Sequence, residues 1–215
     1  MPNHSLPLPE LTALLARATP FLKISGVDRE VRWTRPMKKE GDDRIGPWYG
    51  SVHEVLDQRA RTANGECLYF VTNADGELKY IGESKNRLGD RWKMPPAVCA
   101  VTGRKLGNPF FFHNRAWQRI ERELLTDDAR TSAFSVSVLR GPALYAAVDE
   151  TPGLSQLKHT GNQKIHLAKR VEQWFCGRPS LQAELWNIEG TGRRRGSQAR
   201  HQSGRIKIQK ANADV

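Results

Sequence analysis

The chain has 215 residues, 38% of them hydrophobic and 27% charged, with a net charge of +11 and a pI near 9.9. This suits one domain of moderate size with appendages and excludes a membrane span, because no apolar run reaches about 20 residues. So large a positive balance points to a polyanionic partner.

The opening segment lacks a basic stretch followed by an apolar one, so it is read as no signal peptide and the protein as soluble and cytoplasmic. Residues 8–23 pattern as an amphipathic helix with Leu11, Leu14, Leu15 and Ala18 on one stripe, and 30–34 as a short strand. Residues 35–48 read as a loop. Residues 51–62 read as a helix, with Ser51 as N-cap and Glu54 at capping-box spacing.

"ECLYFVT" (66–72) and "ELKYIG" (77–82) flank the turn residues "NADG", which makes a β-hairpin. A turn centred on Ala74 and Asp75 sets Tyr69 directly opposite Tyr80 on one face. Ser84 then caps a helix over 84–93, with Arg87 and Arg91 one turn apart.

A loop over 94–112 precedes a helix over 114–125, with Trp117, Ile120 and Leu124 inward. Residues 133–140 alternate as a half-buried strand with Phe134, Val136 and Val138 on one face. A loop over 141–161 and a helix over 162–177 follow, the helix stopped by Gly177 and Pro179. A last short element ends at Asn187. The three cysteines, Cys67, Cys99 and Cys176, are far apart and read as small core residues in a reducing compartment.

The fold class expected is α/β (α+β): a small, mostly antiparallel three-stranded sheet flanked by helices. It divides into an N-terminal extension (1–63), a core (64–188) and a basic tail (189–215). Between Gly190 and Ala213 the tail holds seven basic residues and no acid. Arg193, Arg194, Arg195, Arg200, Arg205 and Lys207, with Arg87, are the candidate DNA contacts.

The order of these residues resembles the GIY-YIG nuclease superfamily. "CLY" (67–69) and "YIG" (80–82) stand with ten residues between the tyrosines, followed by Ser84, Asn86 and Arg91, and later by Glu172, Pro179 and Asn187. The resemblance covers about 66–187. Cys67 stands where the family has glycine, and Trp92 and Lys93 follow Arg91 where many members carry a histidine.

The resemblance implies a metal-dependent endonuclease acting on double-stranded DNA, most like a stand-alone type II restriction enzyme of bacterial or phage origin. Such an enzyme cuts both strands as a homodimer or binds two sites in turn. Glu172 is then the ligand of one Mg²⁺ (or Mn²⁺). It lies about 40° round its helix from Ala168, at the edge of the apolar stripe, where one carboxylate can hold such an ion among waters. Arg91 clamps the scissile phosphate. Tyr69 activates the nucleophile and Tyr80 orients water or phosphate. Lys93 or His113 replaces the missing histidine, and Asn187 braces the site. Gly82 is read as letting the backbone pass close to DNA. His4, His53, His159, His166 and His201 have no ligand spacing and are read as incidental. Alternatives are a non-catalytic DNA-binding protein on the same fold, a structure-selective repair or mobile-element nuclease and, more weakly, an RNA-binding protein.

Overall fold

The structure is a computed structural model that describes residues 8–32, 49–94, 115–126, 133–159, 165–182 and 185–187. The chain runs α1 (Pro9–Arg17), β1 (Thr19–Arg32), β2 (Tyr49–Val55), α2 (Gln58–Thr62), β3 (Cys67–Thr72) and β4 (Leu78–Ser84). It continues α3 (Leu88–Arg91), α4 (Arg115–Thr126), β5 (Phe134–Arg140), α5 (Gly141–Glu150), a 3₁₀ turn (Ser155–Lys158), α6 (Leu167–Cys176) and α7 (Pro179–Gln182). It is an α/β protein.

The sheet has five strands in the order β2-β1-β5-β3-β4, all pairs antiparallel, where three strands were expected. Of the two further strands, β2 lies mostly in a segment read as helical, and β1 runs from the end of another (19–23) into the short strand read at 30–34. Residues 8–23 are a helix only as far as Arg17. Ala18 is extended and Pro20 follows, and the residue before a proline is pushed out of the helical region. Phe21, Leu22 and Ile24 are then buried as strand residues. Residues 51–62 split in two: β2, then α2, capped by Asp57, whose Oδ1 accepts from the Ala60 amide at 2.9 Å. Val52 and Leu56, placed on an inward helical face by their spacing, are exposed. The expected boundary at residue 63 therefore falls between strands of one sheet, since β1 lies between β2 and β5.

Within 141–161, read as loop, α5 carries Pro142 in its first turn and buries Leu144, Ala147 and Val148 at helical spacing. The expected helix 114–125 and strand 133–140 are present as α4 and β5, with their predicted inward residues buried.

Both faces of the sheet are covered, which is why β3 reads as a nearly continuous apolar run, buried from Cys67 to Val71. Tyr69, Val71, Tyr80, Val136 and Val138 face residues of α2, α3 and α4 in one core. Leu68, Phe70, Ile81 and Leu139 face α1, α5, α6 and α7 in the other. No helix among the described residues is long and apolar enough to cross a membrane.

Candidate functional site

The site begins with the β3–β4 hairpin. Its turn has three loop residues rather than two: Gly76 N–H donates to Asn73 O at 3.1 Å, and Gly76 takes φ +80°. That is a type I turn closed by a left-handed glycine. A bulge between Val71 and Thr72 adds a second step to the register. Tyr69 therefore pairs with Gly82, and Tyr80 with Val71, which corrects the expected Tyr69–Tyr80 pair. A shift of two residues keeps every side chain on its face. The phenol rings still lie together diagonally, centroids 6.1 Å apart and 21° from parallel.

Gly82 has a packing reason besides the one expected. A Cβ built there would stand 2.3 Å from Tyr69 Cζ and 2.4 Å from its hydroxyl oxygen. The glycine makes the bay in which the Tyr69 ring lies. Trp92 packs edge-on to the same ring at 5.5 Å. Cys67, at the motif's glycine position, is buried, and burial pushes its thiol up to about 12; it is a packing residue.

Ser84 is the last residue of β4, and its hydroxyl closes a turn with Asn86, accepting from the Asn86 amide at 3.2 Å. It does not cap a helix, because α3 is only Leu88–Arg91. That short helix delivers Arg91, whose Nε donates to Tyr69 Oη at 3.3 Å. Arg87 turns away on the surface and donates to Asn64 Oδ1 at 3.1 Å.

Tyr69 is wholly buried, and burial pushes its phenol up to about 12, against the opposing pull of Arg91. At pH 7 about one such phenol in 10⁵ is ionised, at tenfold per unit. The Tyr80 phenol is also raised, first by burial and then by the Tyr69 and Glu172 charges. Glu172 thus weighs electrostatically on both tyrosines. It is buried on α6, its carboxyl raised by burial, and Lys169 Nζ donates to its Oε2.

A cleft of about 380 Å³ opens beside this group, lined by Glu83, Ser84, Lys85, Asp90, Arg91 and His166. Lys93 is exposed and pairs at 2.9 Å with Asp90, one of the lining residues. Asn187 is not in the cleft. Its amide Nδ2 donates to Ile81 O, and its Oδ1 accepts from Ile81 N at 3.0 Å, while Trp186 N donates to Lys79 O at 2.9 Å. Residues 186–187 thereby cover part of the open edge of β4. Replacing Asn187 with Ala would leave both Ile81 backbone groups without their partner. A loss of about 1–3 kcal/mol in unfolding free energy is expected from urea denaturation.

Four residues not picked out for the site in sequence, Glu66, Glu83, His166 (read as incidental) and Lys169, form a chain of contacts that ends on Glu172. His166 caps α6 and stands between two carboxylates, with Nδ1 3.1 Å from Glu66 Oε2 and Nε2 3.0 Å from Glu83 Oε2. Lys169 reaches Glu83 Oε1 at 3.7 Å as well as Glu172. The available signal was an acid immediately before "CLY" and another immediately after "YIG". His113 and the tail residues Arg193, Arg194, Arg195, Arg200, Arg205 and Lys207 lie outside the described residues.

Among the described residues no three His, Cys, Asp or Glu side chains form a metal cage. An ion of the Mg²⁺ type needs only one or two carboxylates besides waters and phosphate oxygens. Glu172, a buried carboxylate within electrostatic reach of Arg91, fits that demand, and Lys169 is its counter-ion in this structure. Comparison with protein-family models, with curated proteins and with solved structures finds no match to this chain.

Proposed function

We propose that the chain is a metal-dependent endodeoxyribonuclease of the GIY-YIG type that hydrolyses double-stranded DNA, in the manner of a stand-alone type II restriction enzyme. One observation carries the reading. The Arg91 guanidinium, which lines a cleft, donates to the hydroxyl of the buried Tyr69, with Tyr80 stacked alongside and the buried Glu172 electrostatically coupled to both phenols. Raised phenols and a raised carboxyl gathered round one arginine support the reading, because such shifts cluster at functional sites.

The roles follow from the chemistry of each group. Arg91 carries a permanent charge and a forked donor set, suited to a non-bridging phosphate oxygen. The Tyr69 oxygen already accepts from Arg91, so its own O–H is left to donate. With its phenol near 12, Tyr69 enters the reaction as a donor that orients the attacking water or the phosphate; the expected base role requires added positive charge nearby. Tyr80 orients from beside it. Glu172 would hold Mg²⁺ or Mn²⁺, which when bound would supply that charge and offset the negative charge on the phosphate and leaving-group oxygens.

Plasmid DNA incubated with the protein and Mg²⁺ is expected to give discrete fragments, and the Tyr69→Phe variant to cut about 10²-fold more slowly. No cleavage by wild type, with salt-sensitive DNA binding retained, would leave a non-catalytic DNA-binding protein on this fold. The basic tail supplies sequence-independent affinity. Deleting 193–210 is expected to weaken binding and to flatten the plot of log K against log salt by roughly 0.9 for each phosphate that is no longer neutralised. An unchanged slope would make the tail passive.

A further inference from the structure

We infer that His166 is the positioning residue that locks the three sources of the site to one another. This rests on the nuclease reading and deepens it. Tyr69 comes from β3, Tyr80 and Arg91 from β4 and the helix after it, and Glu172 from α6. α6 is far in sequence from the hairpin that carries the other two, yet His166 touches all three. It stands at the start of α6, its Nδ1 faces Glu66 just before β3, and its Nε2 faces Glu83 on β4.

The surroundings argue against a surface accident. The side chains of Glu66, His166 and Glu83 are 15%, 14% and 22% exposed. Glu66 is held further by the Ala168 amide at 3.0 Å and by the Tyr145 hydroxyl of α5. Lys169 stands over Glu83 and Glu172, while Arg91, Asp90 and Lys85 line the same cleft. A doubly protonated ring donates to both carboxylates at once, making charge-assisted bonds at each end. A ring with one proton serves only one carboxylate, and Nδ1 is then free to accept from the Lys169 amide, 3.3 Å away. Helix capping alone needs one acceptor atom. It does not need the Nε2 contact to Glu83.

That difference gives the test. Asparagine is among the best N-cap residues but cannot bridge both carboxylates. His166→Asn keeps the cap and is therefore expected to lose only the clamp's share of stability, roughly 2–4 °C in melting temperature, and to bind DNA with unchanged affinity. It should still lose about 10–100-fold in kcat, the usual loss when groups that orient a metal site are removed. His166→Arg, whose guanidinium can donate to two carboxylates, is expected to recover part of that loss. Wild-type kcat in His166→Asn would overturn the positioning role, and a wild-type melting temperature beside it would reduce His166 to a helix cap. A second readout needs neither DNA nor metal. If the clamp exists, denaturation of His166→Asn, Glu83→Gln and the double variant gives non-additive losses, the double unfolding at the same denaturant concentration as the weaker single. Additive losses would overturn the clamp even in a protein that cleaves. Non-additive losses in a wild type that does not cleave would uphold the clamp and overturn the nuclease.

Discussion

Glu172→Gln is expected to abolish DNA cleavage, by roughly 10³-fold or more, and to make the fold more stable at neutral pH. The two effects share one cause. Burial raises the Glu172 carboxyl above its ordinary value of 4.5, Glu83 adds to the rise, and Lys169 and Arg91 only partly offset it. The ionised form is thus the disfavoured one in the folded protein. Its penalty is absent below the ordinary carboxylate value, grows as pH rises through the folded one, and is complete above it. Glutamine keeps the shape and cannot ionise. Its advantage in melting temperature should be present at pH 8 and gone near pH 4. Scanning calorimetry at the two values, beside plasmid cleavage at pH 8, checks both halves. Cleavage at the wild-type rate would remove Glu172 from the site. A lower melting temperature at pH 8 would show that its ion pair with Lys169 outweighs burial. A site carboxylate that costs stability is what selection for function rather than for stability leaves behind.

What could be read from sequence followed from periodicity and turn chemistry. The face shared by Tyr69 and Tyr80 was legible because alternation fixes faces. Their exact pairing was not, because a third loop residue and a bulge shift the register by two without changing any face. The buried residues of α4 and β5 were legible for the same reason. β2 was not, because Val52, Val55 and Leu56 fall at helical spacing, yet Val52 and Leu56 are exposed on a strand and just past its end. In β1, Pro20 was the overlooked break. Of the site, the ordered tyrosines, Arg91 and Glu172 could be picked out residue by residue. The Glu66–His166–Glu83 bridge could not, since only the packing of α6 on the hairpin brings residue 166 to residues 66 and 83. Asn187 was legible as a brace, but its partner, the backbone of edge residue Ile81, belongs to the sheet order.

The glycine of "YIG" supports the largest stability prediction. Gly82→Ala is expected to cost about 3 kcal/mol, at the upper end of the range for overpacked cores, and to lower the melting temperature by roughly 6–12 °C for a chain of this length. The new methyl group would meet Tyr69 at Cζ, Oη and Cε2, at 2.3, 2.4 and 2.6 Å. The ring has no easy retreat, because it is wholly buried with Tyr80 stacked near it and Trp92 edge-on. Removing the hydroxyl alone gives little relief, since the closest contact is to the ring carbon. Tyr69→Phe should therefore leave most of the cost in place. In a Tyr69→Ala background the three closest contacts of the methyl group are gone, and the cost of Gly82→Ala should fall to within about 0.5 kcal/mol of zero, a coupling that urea denaturation of the four proteins measures. If the glycine served instead to admit a DNA backbone, Gly82→Ala would fold with wild-type stability and lose affinity for DNA alone. Any movement of the ring that does accommodate the methyl group also shifts the hydroxyl that Arg91 holds, so cleavage should fall together with stability, and Gly82 acts on the chemistry through the tyrosine across from it.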